Sequence, residues 1–131
     1  MRLTLIGVPV FNWNGRDDTL ACLESLLAAD PRPACVVVVD NASSDGSAGA
    51  ISDWIRSHGA SGFGLVAAGS NLGFAAGCNL ALDRLGAVPD LRHFFLLNND
   101  ATADPHCFAE LELALSGAPA TGILGVTILE A

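Results

Sequence analysis

Four consecutive valines between a cysteine and an aspartate, Cys35-Val36-Val37-Val38-Val39-Asp40, constrain this chain more than any other feature. Alternate side chains of a strand point to opposite faces. An unalternated β-branched run therefore needs both faces dry, as in a central parallel strand covered by helices on both sides. Other runs fit the same architecture. Leu3–Phe11 is apolar and partly β-branched, Phe63–Ala68 and Gly122–Leu129 read as strands, and His93–Leu97 reads as a strand buried on both sides. Helical stretches separate them. Asp17–Ala29 places Leu20, Leu23, Leu26 and Leu27 on one face, with Asp17 and Asp18 favourably set in its first turn. Asp30-Pro31-Arg32-Pro33 stops that helix, because proline cannot continue it.

A second helix runs from near Gly46 to about His58 and carries Ile51, Trp54 and Ile55 inward. Gly73–Leu85 forms a third, with Phe74, Leu80, Ala81 and Leu85 as core candidates. Asp104-Pro105 opens a fourth, with aspartate as N-cap and proline at the first helical position, followed by Phe108, Leu111 and Leu115. The alternation predicts an α/β fold: an open, mostly parallel Rossmann-like sheet with helices on both faces, about five strands and four helices. Pro9 inside the first strand removes a ladder hydrogen bond and predicts a bulge or an early strand end.

At 131 residues and 51% hydrophobic, the chain suits one domain with a packed core. Its longest uncharged stretch, Ser57–Leu82, is broken by glycine, serine and asparagine, so no membrane-spanning helix is expected. The N-terminal apolar run is too short for a signal peptide and reads as a strand. The net charge is −8, with six arginines and no lysine. That balance argues against sequence-independent nucleic-acid binding, which needs clustered cations. It leaves room for a metal cation held by carboxylates. Cys22, Cys35, Cys78 and Cys107 form no C-x-x-C pair, so reduced, largely buried thiols are expected.

In open α/β sheets, ligands bind beyond the carboxyl ends of the strands. The polar and glycine-rich segments fall there: Asn12-Trp13-Asn14-Gly15, Asp40 through Ser47, Gly69 through Phe74, and Asn98-Asn99-Asp100. Several of these residues have ordinary structural readings. Asp45 and Ser47 can cap the second helix, Gly46 and Gly73 can serve turns, and Asn71 can adopt a left-handed turn conformation. Asp104 reads as a helix cap and not as a ligand. Asp40 and Asp100 follow apolar strands directly and start no helix, so they read as acceptors for a ligand or a hard cation. His58, His93 and His106 lie far apart, His58 as a dipole partner at a helix C-terminus. No nucleophile elbow, Walker loop, dinucleotide fingerprint or H-E-x-x-H is present.

Four ordered blocks resemble one known family. They are Val10 through Gly15 with Leu20 through Leu27, Val39 through Ser47, Asn71 through Asn79, and Leu96 through Asp100 with Asp104-Pro105. Together they resemble the N-terminal, nucleotide-binding half of a family 2 glycosyltransferase of the GT-A fold, within the rhamnosyltransferase-like branch. The resemblance implies an inverting transfer from a UDP-sugar or dTDP-rhamnose to a saccharide or glycolipid, assisted by Mg²⁺ or Mn²⁺. It places Val10 and Asp40 beside the nucleobase, with Asp45 near the same end. Asn71, Gly73, Phe74, Gly77 and Asn79 would line the donor pocket, with Asn98 against the ribose and diphosphate and Asp100 on the metal. Asn14, Asn41, Ser43 and Asn99 complete the implied donor-nucleotide set. Asn98 replaces the first carboxylate of the family's D-x-D pattern, which leaves Asp100 as the sole acidic metal ligand there.

A family member would continue for about as long again. The chain therefore reads as truncated, with residues 1–131 the donor-binding half and the acceptor-binding half and its catalytic base absent. No catalytic residue is nominated. The alternatives are a non-catalytic nucleotide-binding or regulatory module derived from such an enzyme, and a sugar nucleotidyltransferase. The last is disfavoured because only Arg16 is basic near the first loop. A cytoplasmic location, extending to the inner face of the membrane through peripheral association, accompanies the resemblance. So does self-association through an exposed sheet edge.

Overall fold

The computed structural model describes residues 2–130. Its elements alternate: β1 (Ile6–Asn12), α1 (Arg16–Ala28), β2 (Cys35–Asp40), α2 (Ser47–Ser57), β3 (Phe63–Ala67), α3 (Phe74–Gly86), β4 (His93–Phe94) and α4 (Cys107–Gly117). The strands form one parallel sheet in the order β3-β2-β1-β4. The valine run is buried throughout, and its parity divides the core in two. Val36 and Val38 pack with Ile6, Val8 and Val10 against Cys22, Leu23 and Leu26 of α1, Ile51 and Trp54 of α2, and Phe108 and Leu111 of α4. Cys35, Val37 and Val39 pack on the opposite face against Ala81 and Leu85 of α3. Each of these valines contributes roughly 1.5 kcal/mol or more by leaving water.

Pro9 produces no bulge. Its register with Val37 lies inside an unbroken β1–β2 ladder from Gly7↔Cys35 to Asn12↔Asp40. The carbonyl of Ile6 accepts from Ala34 and that of Asn12 from Asn41, whereas the carbonyl of Gly7 accepts from Phe95. Even-numbered residues of β1 thus bond toward β2 and odd-numbered ones toward β4. The N–H that Pro9 lacks is on the β4 side, and there the pairing ends after Gly7↔Phe94.

The expected fourth strand over His93–Leu97 is accordingly two residues long, and His93 and Phe94 are exposed rather than buried on both sides. An edge strand with so short a ladder has little to cover it. The expected fifth strand, Gly122–Leu129, is not formed: residues 122–130 have no regular structure, and Ile123, Ile128 and Leu129 are almost fully exposed. Among the described residues no strand edge pairs with them, so apolar, β-branched composition alone does not make a strand.

One helix start and one expected core residue also differ from expectation. α4 begins at Cys107, with His106 at its N-cap. The Asp104 carboxylate accepts the amide of His106 at 2.8 Å and its carbonyl accepts that of Cys107, forming a turn ahead of the helix instead of a cap. α3 buries Gly77, Ala81 and Leu85, but Phe74, expected in the core, is 58% exposed and meets Phe11 edge-on. The four cysteines are free: Cys22 and Cys35 are buried, Cys78 and Cys107 half-buried. His58 takes the expected place at the end of α2, where its Nδ1 lies 2.9 Å from the carbonyl of Trp54 and its ring stacks on the indole. No helix among the described residues is long and apolar enough to cross a membrane.

Candidate functional site

Strand parity builds the site. Ile6, Val8 and Val10 share a face with Asn12, and Val36 and Val38 share that face with Asp40. The ladder pairs Val8 with Val36, Val10 with Val38, and finally Asn12 with Asp40. Two apolar rungs are followed by one polar rung, and both polar side chains are buried. Buried polar groups need partners, and here they find each other: Asn12 Nδ2 donates to Asp40 Oδ1 at 2.8 Å and to Ser43 Oγ at 3.2 Å. Asp40 Oδ2 accepts the amide of Ser43 at 3.2 Å. Asn12 Oδ1 accepts from Thr19 Oγ1 at 2.7 Å, from the amide of Gly15 at 3.2 Å and from Asn99 Nδ2 at 3.5 Å.

Asn41, one residue beyond β2, does the same on the other face. Its Oδ1 accepts the amide of Leu72 at 2.9 Å, and its Nδ2 donates to Asn71 Oδ1, which also accepts the amide of Gly73 at 2.9 Å. Asn71 is outside the left-handed region; in these loops the positive φ angles belong to Asn14, Ala42, Gly46 and Gly73 instead. Two fully buried asparagines therefore gather all four loops at one edge of the sheet. Asn12 ties the first, second and fourth; Asn41 ties the second and third.

The expected residues divide by what they do there. Asn14 accepts the amide of Ser44 at 2.8 Å and donates its own amide to Ser43 Oγ at 2.9 Å. Asp45 accepts from the amide and hydroxyl of Ser47, the first residue of α2, and from the amide of Arg16 at 3.2 Å. The Ser47 hydroxyl, followed by the amides of Ser47 and Arg16, holds the Asp45 carboxyl below its usual range. Gly77 is buried, and a Cβ there would stand 2.7 Å from the Phe11 ring. Phe74 lies exposed at the rim.

Val10 is packed wholly in the core, two residues short of the strand end, so its side chain does not open to the loops. Asn79 is exposed, two residues and roughly 200° around the helix from buried Gly77, and faces away from the gathered loops. Asn98 and Asp100 are exposed, and among the described residues neither side chain has a hydrogen-bond partner. The loop that carries them is held from below. Asn98's carbonyl accepts the amide of Ala101 at 3.1 Å and lies 3.9 Å from the Cys22 thiol, and Asn99 Nδ2 donates to Thr19 Oγ1 at 3.1 Å. Burial, and then the charge of Asp100, push the Cys22 thiol up to about 12.

Sequence reasoning placed Asn12 and Gly15 in the polar first loop without nominating either as a site residue, and it missed Thr19. Parity would have found Asn12, which sits one step past Val10 on the same face. Thr19 follows from the helix, being three residues before buried Cys22 and four before buried Leu23.

No group of three or more His, Cys, Asp or Glu side chains is placed to cage a metal among the described residues. Asp100 and Asn98 nevertheless carry three side-chain oxygens with no hydrogen-bond partner among the described residues. Mg²⁺ and Mn²⁺ suit oxygen ligands, and Mg²⁺ is commonly held by one or two carboxylates with substrate phosphates and waters completing the shell. The residues present fit that arrangement. A cavity of about 400 Å³ opens where the first two loops meet the start of α1, lined by Asn14, Gly15, Arg16, Asp17, Asp18 and Asp45.

The family model described as glycosyl transferase family 2 matches residues 5–129. Among solved structures, the chain is similar to a mannosyltransferase, PcManGT from Pyrobaculum calidifontis, in complex with GDP-Man and Mn²⁺. The TM-score is 0.72 at 24% identity, covering 85% of this chain and 32% of that one. It is also similar to residues 1–349 of S. aureus TarS, with a TM-score of 0.69 at 19% identity, covering 89% of this chain and 33% of that one. The chain thus spans about a third of the length of either, and at these identities the likeness is one of fold. No curated protein matches it.

Proposed function

This chain belongs to glycosyl transferase family 2, and we propose on that premise that it supplies the donor-binding half of an inverting, metal-dependent transferase. The observation that carries the reading is the gathering of four loops at one edge of the sheet by Asn12 and Asn41, the fourth of which carries exposed Asn98 and Asp100. The donor is a nucleoside diphosphate sugar, with a UDP-sugar or dTDP-rhamnose as the first candidates. The neighbour in complex with GDP-Man and Mn²⁺ adds a guanine nucleotide to those worth testing.

In this reading Asp40 holds the base end. An ionised carboxylate has about four acceptor positions, and Asn12 and Ser43 occupy two of them. Asn71 and Gly73 shape the wall fixed by Asn41. Asp100, with Asn98 beside it, would hold Mg²⁺ or Mn²⁺, and when bound the cation neutralises charge on the departing diphosphate. Asp40, Asp45 and Asp104 are each engaged in local hydrogen bonds, so none is nominated as the base that deprotonates an acceptor hydroxyl. Nor is any residue here nominated for recognition of a saccharide or glycolipid acceptor.

Calorimetric titration of UDP, dTDP and GDP into the chain, with and without Mn²⁺ and repeated on Asp100→Ala, tests the proposal. We expect one nucleotide to bind in a Mn²⁺-dependent manner and Asp100→Ala to weaken that binding at least about tenfold, the loss of a charge-assisted ligand. Binding by none of the three to a folded sample refutes donor binding by this chain and favours a module that has lost it. Binding indifferent to Mn²⁺ and to Asp100→Ala refutes the metal assignment.

A further inference from the structure

We infer that Asn12, Thr19 and Asn99 are positioning residues that couple the base-side half of the site to its metal-side half, an inference that rests on the donor-binding reading above. Asn12's amide has one possible orientation. The amide of Gly15 can only donate and the Asp40 carboxylate can only accept, so Oδ1 faces the first loop and α1 while Nδ2 faces Asp40 and Ser43. Thr19 has one hydroxyl proton, which it gives to Asn12 Oδ1 at 2.7 Å; its oxygen then accepts Asn99 Nδ2 at 3.1 Å. The path from Asp40 to Asn99 is thus continuous, with every donor direction fixed by chemistry.

Packing leaves this path no slack. A Cβ on Gly15 would fall 2.6 Å from Asn99 Nδ2 and 3.3 Å from Asn12 Oδ1. Asn99 also occupies the second position of the Asn98–Ala101 turn, whose closing bond is 3.1 Å, so fixing its side chain fixes the direction in which neighbouring Asp100 projects. A nucleotide that draws on Asp40 orders Asn12, Asn12 orders Thr19 and Asn99, and the turn then presents Asp100 at a lower ordering cost to a cation. Linkage makes the effect reciprocal: the cation strengthens nucleotide binding by the same factor.

The test is the ratio of nucleotide dissociation constants without and with Mn²⁺, measured by calorimetry with UDP, dTDP and GDP in turn, on the wild type, Thr19→Val, Thr19→Ser and Asn99→Ala. Thermal midpoints are recorded alongside. The wild type should show a ratio of about 5 or more. Thr19→Val keeps the shape and removes the hydroxyl, and Asn99→Ala removes the terminal amide; both should bring the ratio to within about twofold of one. Thr19→Ser, which retains the bonds, should restore it. Variants that lower the thermal midpoint but keep the wild-type ratio would show a merely structural network and overturn the inference while leaving donor binding intact. A wild type that binds no nucleotide overturns both. Should Thr19→Val not fold, Asn99→Ala, on a half-buried loop, decides the matter alone.

Discussion

The same substitution, glycine to alanine, should have opposite effects at two helical positions. In isolation alanine is favoured over glycine in a helix by about 1 kcal/mol. Gly49, in α2, has nothing within 4 Å of where a Cβ would stand, so Gly49→Ala should realise most of that gain. Gly77, in α3, is buried against β1, and a Cβ there would lie 2.7 Å from both Cδ2 and Cε2 of Phe11. The ring cannot swing away freely, because Phe74 lies edge-on to it with centroids 5.5 Å apart. Forcing a methyl into such a contact costs roughly 1–3 kcal/mol, which exceeds the propensity gain at all but the low end. Gly77→Ala should therefore be about 1 kcal/mol less stable than wild type, and Gly49→Ala about 0.5–1 kcal/mol more stable. For a chain of this size, each kcal/mol corresponds to roughly 3–5 °C in melting temperature. Urea denaturation followed by circular dichroism, with unchanged m-values, measures both. If both variants are stabilised alike, the contact between α3 and Phe11 does not resist a methyl group and the reasoning fails.

Two further outcomes follow from the ionisable groups. Asp45 is held below its ordinary value of 3.8 by the Ser47 hydroxyl and the amides of Ser47 and Arg16, so its contribution to stability is present above that value and is lost as pH falls through its lower folded value. Asp45→Asn should lower stability at pH 6, with the gap to wild type closing below about pH 4, as read by urea midpoints at the two pH values. Cys22, raised from 9.0 to about 12 by burial and by Asp100, should be the last of the four thiols to react with iodoacetamide at pH 8. Its thiolate fraction there is about a thousandfold below that of a free thiol; prompt native-state alkylation of Cys22, detected by mass spectrometry, would refute its buried placement.

Much of the fold was legible before any coordinates. The valine run announced a strand dry on both faces, and its parity matches the two cores. The polar and glycine-rich segments were legible as the loops beyond the carboxyl ends of the strands. The misreadings share a cause. His93–Leu97 and Gly122–Leu129 look like strands by composition, yet a strand exists only where a neighbour supplies hydrogen bonds, and Pro9 withholds one from the β4 side. Phe74 looks like core by hydrophobicity, but the helix turns Gly77, Ala81 and Leu85 to the sheet and leaves it at the rim. Asp104 reads as a cap from its neighbour Pro105, whereas the helix begins three residues later, at Cys107, where the turn from Asp104 closes.

By itself, the sequence determined what depends on local pattern: the alternation of strands and helices, the double burial of β2, the polar ends of its strands, and the four blocks that match its family. Tertiary structure alone decided what depends on which groups meet. It paired Asn12 with Asp40 as the last rung of an apolar ladder, set Thr19 and Asn99 against that rung, and left the side chains of Asn98 and Asp100 without a partner among the described residues while Asp40 and Asp45 were engaged. The division has a physical reason. Side-chain direction along a strand or helix repeats every few residues and is written locally, whereas a hydrogen bond between residues 80 or more positions apart, as between Asn99 and Thr19 or Asn12, exists only once the sheet register has brought their backbones together.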